Sequence, residues 1–138
     1  MALPAELIAA YRAAHYVVFA DPELVIRIGE PNTDLDALLQ AAGAASAAYV
    51  TAANPRGVRR SEAENKNAFD SLQKFLNEKR YRHCAGEGRD PQGRWPAEQS
   101  FLVVGIERAD AAALGRRFGQ NAVVLIEEGR APELVLLD

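Results

Sequence analysis

The chain has 138 residues, 49% hydrophobic and 25% charged, with a net charge of −3, a composition typical of a soluble globular domain that buries a core unaided. The single cysteine, Cys84, excludes an internal disulfide, no apolar run reaches the roughly 18 residues of a membrane span, and the start lacks a basic segment followed by an apolar one. These features lead us to expect one domain over 1–138, in the cytoplasm, with no membrane partner.

The first element expected is a helix over Leu3–His15, with Pro4 in its first turn and Leu7, Ala10, Tyr11 and Ala14 recurring at helical spacing. Strands over Tyr16–Ala20 and Leu24–Ile28 flank the Asp21-Pro22 turn as a hairpin. Asn32 or Thr33 caps a helix that places Leu35, Leu38 and Leu39 inward and stops at Gly43. A strand over Ala47–Ala53 runs into Asn54-Pro55, where the residue before proline is disfavoured in helical space. Ser61 and Glu64 then form a capping box, followed by a stripe of Phe69, Leu72, Phe75 and Leu76. Four residues before Phe69 lies Asn65, an amide on the core-facing side of the first turn, which needs partners. It either ties down the 54–60 loop or faces a ligand.

A strand over Tyr81–Ala85 leads to the polar, turn-rich stretch Gly86–Phe101, which holds the only tryptophan and is read as a recognition loop. Beyond it come an apolar strand over Phe101–Ile106, a helix over Glu107–Phe118 ended by Gly119, and a hairpin of Asn121–Ile126 with Glu133–Leu137. The irregular alternation, with hairpins at both ends, predicts an α+β sandwich: a mixed, mostly antiparallel sheet of six or seven strands with three or four packed helices.

Familiar catalytic signatures are absent: no phosphate-binding glycine loop, nucleophile elbow or paired-histidine zinc helix occurs. His83-Cys84 are neighbours on a strand and point to opposite faces, so no metal site is expected. The acidic total opposes nucleic-acid binding. Charge is unevenly spread, however, because residues 56–94 carry ten Lys/Arg against six Asp/Glu. This basic middle either solvates a helix face or focuses an anionic ligand. Trp95 either covers a core edge or stacks on a flat ligand. In the second reading Arg89 and Arg94 grip phosphate or carboxylate, and Glu98 accepts a hydrogen bond or acts as the general base. Gln120-Asn121 either cap the preceding helix or read a donor–acceptor edge.

Thr51-Ala52-Ala53-Asn54-Pro55, Glu64-Asn65, Gly86-x-Gly88-x-Asp90-Pro91, Trp95-Pro96-x-Glu98-x-Ser100-Phe101 and Phe118-Gly119-Gln120-Asn121-Ala122 occur in this order. The ordered set resembles the bacterial family known as domain of unknown function 3293 (DUF3293), over a span from about Tyr11 onward. The resemblance implies a small bacterial cytosolic protein and brings no activity, cofactor or catalytic residue with it.

The leading expectation is a pocket for a small anionic or nucleotide-like ligand, built where Asn54, Asn65, Arg89, Arg94, Trp95, Gln120 and Asn121 converge, with Glu98 as the catalytic carboxylate of an enzymatic version. Its cofactor is unknown. The alternative is a protein-interaction module that meets an acidic protein partner through the 86–101 loop and the basic side chains Arg59, Arg60, Lys66 and Lys74.

Overall fold

Residues 3–137 are described by a computed structural model. Helix α1 (Ala5–Ala13) precedes the hairpin β1 (His15–Val18) and β2 (Leu24–Ile26). Helix α2 (Thr33–Ala42), β3 (Ser46–Thr51), a 3-10 turn (Pro55–Gly57) and α3 (Glu62–Glu78) follow. The chain then forms β4 (Arg82–Arg89), β5 (Glu98–Val104), α4 (Arg108–Arg117), β6 (Ala122–Glu127) and β7 (Glu133–Leu136). The seven strands make one sheet in the order β2-β1-β4-β5-β3-β6-β7. Every adjacent pair is antiparallel, so the α+β expectation holds, with an antiparallel rather than a mixed sheet. Among the described residues no helix is long and apolar enough to cross a membrane.

Strand alternation sends two apolar sets to opposite faces. Val50, Phe101, Val103 and Leu125 pack with Leu72 and Leu76 of α3 and Ala111 and Leu114 of α4. Ala47, Tyr49, Leu102 and Ile126 pack on the other face with Leu35 and Leu39 of α2. Both long caps form as the sequence dictates. The Asn32 side chain accepts from Leu35 N–H, Gly43 adopts a left-handed φ of 66°, and the Ser61–Glu64 capping box closes reciprocally.

The main correction concerns 86–101. Half of this stretch is strand, and residues 90–97 form the loop of the β4–β5 hairpin. Its first glycine serves close approach rather than a turn: a Cβ on Gly86 would lie 1.9 Å from the Val17 carbonyl oxygen of the adjacent strand. That carbonyl also accepts a 2.8 Å hydrogen bond from the Tyr49 hydroxyl, so Gly86 lets the tyrosine reach across β4 to β1.

Candidate functional site

Helix α1 carries the stripe expected of it, but none of its residues is buried. Leu7, Ala10 and Tyr11 instead roof a cavity of about 220 Å³ whose floor is the sheet. Tyr16, Tyr49, Thr51, Gly88, Ser100 and Val124 supply that floor, on the face that α2 covers farther along. Trp95 and Arg59 stand on its wall and Glu98 projects from the first residue of β5. Three of the lining groups are phenols. Tyr16 meets Tyr49 edge to face at 5.4 Å between ring centroids, and its hydroxyl donates to the Tyr11 carbonyl at 2.5 Å. Burial raises the pKa of all three tyrosines, so they stay neutral hydroxyls at physiological pH.

Glu98 is the one carboxylate in the lining. Its Oε2 accepts a 2.6 Å hydrogen bond from Asn54 Nδ2. Among the described residues no cation lies within ion-pair distance of it, and Oε1 accepts no hydrogen bond. Burial pushes its carboxyl above the usual range, and the Asn54 hydrogen bond offsets only part of this.

Asn54 is held by its neighbours on every polar atom. Its backbone N–H donates to Asn65 Oδ1 at 3.0 Å, and its own Oδ1 accepts from Asn65 Nδ2 at 3.0 Å and from Arg60 N–H at 2.8 Å. These bonds keep it in left-handed backbone space at φ 47°, with Arg56 at φ 58° two residues on. Neither is glycine, so each carries strain on the order of 1–3 kcal/mol that the surroundings must hold. The segment between α4 and β6 supplies the rest of the clamp. Gly119 O accepts from Arg56 N–H at 2.7 Å, and Gln120 Nε2 donates to Ala53 O at 3.1 Å and to Phe118 O at 3.2 Å. Asn121 Nδ2 donates to the Tyr11 hydroxyl at 3.2 Å and so ties the roof to the clamp.

Of the residues singled out in the sequence, Asn54, Trp95, Glu98 and Gln120 line the cavity. Asn65 and Asn121 stand one hydrogen bond behind it. Arg89 and Arg94 lie outside the lining, and each is engaged with a carboxylate, Glu87 at 2.6 Å and Asp90 at 2.9 Å. Asp90 also accepts from the N–H groups of Gln92 and Arg94, which folds the 90–97 loop on itself. The Arg94 hydrogen bond holds the Asp90 carboxyl below its usual range. Arg60 and Lys66 likewise face carboxylates one helical turn away, Glu64 and Asp70. Tyr11, Tyr16 and Tyr49 were not singled out for the site. Only the pairing of β1 with β4 brings Tyr16 opposite Gly88, a contact between distant segments that no local pattern announces.

The model of the family described as a protein of unknown function, DUF3293, matches residues 50–123. The chain belongs to this family. The matched segment is shorter than the span from Tyr11 suggested by the motifs, and it contains Asn54, Arg59, Trp95, Glu98 and Gln120 but not the helix that roofs the cavity. No match was found among curated proteins or among solved structures.

Proposed function

We propose that this DUF3293 protein binds a small organic molecule in the hollow between α1 and the sheet, with Glu98 as the group that reads it. The observation that carries the reading is a half-buried carboxylate, fixed by one amide and otherwise unmatched, in a cavity walled by aromatic and apolar side chains. A well-formed apolar pocket with few convergent polar groups and a perturbed carboxyl is the usual form of a small-molecule site. Arg89 and Arg94 are spent on intramolecular ion pairs, so the reading rests on the cavity and not on an anion held by those two arginines. In an enzymatic version Glu98 is the proton-transfer group, since its raised pKa brings it nearer to neutrality, where acid–base catalysis is most effective.

Filling the hollow tests this. Ala10→Phe places a ring in the cavity from the roof, where Ala10 is only half-buried. Screened by thermal shift against small aromatic and aliphatic molecules, the wild type should rise on the order of 5–15 °C at about 100 times the dissociation constant. Ala10→Phe should keep its melting temperature and lose that response. A response that survives the filling places binding elsewhere. No response from the wild type, with a higher melting temperature for Ala10→Phe, marks the hollow as loose packing.

A further inference from the structure

The hollow can be read more closely, on the premise that it is a binding site. Its size comes first. A cavity of about 150 Å³ lined by apolar side chains takes up benzene. At about 220 Å³ the space under α1 accommodates one six-membered ring with a short arm. The walls suit such a ring, because Tyr16, Tyr49 and Trp95 present aromatic surface and Leu7, Ala10 and Val124 present apolar surface.

The arm meets Glu98. A carboxylate taken out of water is costly unless a cation or several donors compensate it. Here one amide donor holds Oε2, while Oε1, which has no donor among the described residues, keeps contact with solvent, since no buried side-chain oxygen there lacks a hydrogen-bond partner. The other ionisable groups facing this point are Tyr11 from α1 and Tyr16 from β1, both neutral, and Arg59 at the exposed rim, which makes no ion pair with Glu98. A ligand that displaces solvent from Oε1 must bring a donor of its own, and a positive one suits a carboxylate best. Electron-rich faces of the tyrosines and the tryptophan around it favour the same charge.

We infer that the occupant is a small aromatic primary amine, its ammonium on Glu98 Oε1 and its ring between α1 and the Tyr16–Tyr49 pair. An amine standing alone and the amine of an aromatic amino acid share this chemistry. Only the second also carries a carboxylate, for which Arg59 is the cation in the lining.

Calorimetric titration of three probes that share a phenylethyl group decides the matter: 2-phenylethylamine, 2-phenylethanol and 3-phenylpropanoate. The amine should bind at least about tenfold more tightly than the alcohol, the equivalent of roughly 1.4 kcal/mol, and the acid should bind most weakly. Glu98→Gln keeps an oxygen for Asn54 and should bring amine and alcohol to equal affinity. If that variant does not fold, wild-type affinity for the amine still reports on Glu98. It should fall as pH drops through the raised carboxyl pKa, while affinity for the alcohol stays level. Phenylalanine serves as a fourth probe. If Arg59→Ala weakens its binding and leaves that of the amine unchanged, the amino acid is the source. If both probes are unaffected, the free amine is. Equal or tighter binding of the alcohol or the acid overturns the inference and leaves the cavity reading standing. Silence from all the probes, while molecules from the wider screen still respond to Ala10→Phe, also overturns it. Silence from probes and screen alike removes both.

Discussion

At Glu98 the first residue of β5 turns a carboxylate towards a mostly apolar hollow, and burial makes its proton harder to remove than in the unfolded chain. The sign of the consequence follows from linkage. A group whose folded pKa is raised favours the folded state most below the unfolded value, and that contribution is lost as pH rises through the folded one. Without a ligand, Glu98 therefore weakens the fold at neutral pH. Glu98→Gln should leave the melting temperature unchanged or raise it by about 2–5 °C at pH 7, the range of a gain near 1 kcal/mol. The same substitution should flatten the stability profile as pH rises above the usual carboxylate range, where the raised group gives up its proton. A loss of stability at pH 7 that is no smaller at pH 5 would show that the carboxylate is a structural anchor. Much at this scale was legible in the sequence. Asn65 could be placed because it stands one helical turn before Phe69, and it ties down the 54–60 loop through paired hydrogen bonds with Asn54. Residue type alone did not show that Arg94 would fold back on Asp90 four positions earlier.

Among the elements, capped helices were the most legible, because a cap is a local hydrogen bond between residues three apart. The β4–β5 hairpin was the least. Gly86, Gly88, Pro91 and Gly93 read as turn chemistry, yet the first two lie inside a strand paired with β1. At Gly86 the small size answers a demand set by a residue some seventy positions away, whereas a Cβ on Gly88 would meet nothing closer than the Tyr16 ring at 3.9 Å. Gly86→Ala tests this reading. The added carbon collides with the Val17 carbonyl, and since backbone cannot step aside as a side chain would, β1 must move off β4 and release the Tyr49 hydroxyl. The expected cost is about 3 kcal/mol, at the upper end for overpacking, measured by chemical denaturation. Gly93→Ala is its control for space, since nothing lies within 4 Å of a Cβ there and only its positive φ resists the change. An equal cost at both glycines would mean that backbone conformation, not crowding, fixes position 86.

On the scale of the whole molecule, the two faces of the sheet are unlike. One is sealed by α3 and α4 over a continuous core, whereas the other is sealed by α2 for part of its length and merely roofed by α1 for the rest. A nine-residue helix with no buried side chain draws little stability from packing, and short helices do not persist alone. The amides of α1 should therefore exchange with solvent at least about tenfold faster than those around Leu72–Leu76, and a molecule in the hollow should slow them selectively. Equal protection in both helices would make the roof part of the rigid core. The asymmetry also sets how freely the sequence can vary. Along β3, β5 and β6, alternate positions answer to different masters. Val50, Phe101, Val103 and Leu125 must interlock with two helices, and a library varied there should yield few folded members. Ala122 borders the hollow, and β6 should accept new side chains there with little penalty, whereas Thr51 and Ser100 on the same face are tied by hydrogen bonds to the Gln99 and Glu98 carbonyls. One sheet thus offers a conservative side and an inventive side, so that within this architecture the ligand can change while the scaffold does not.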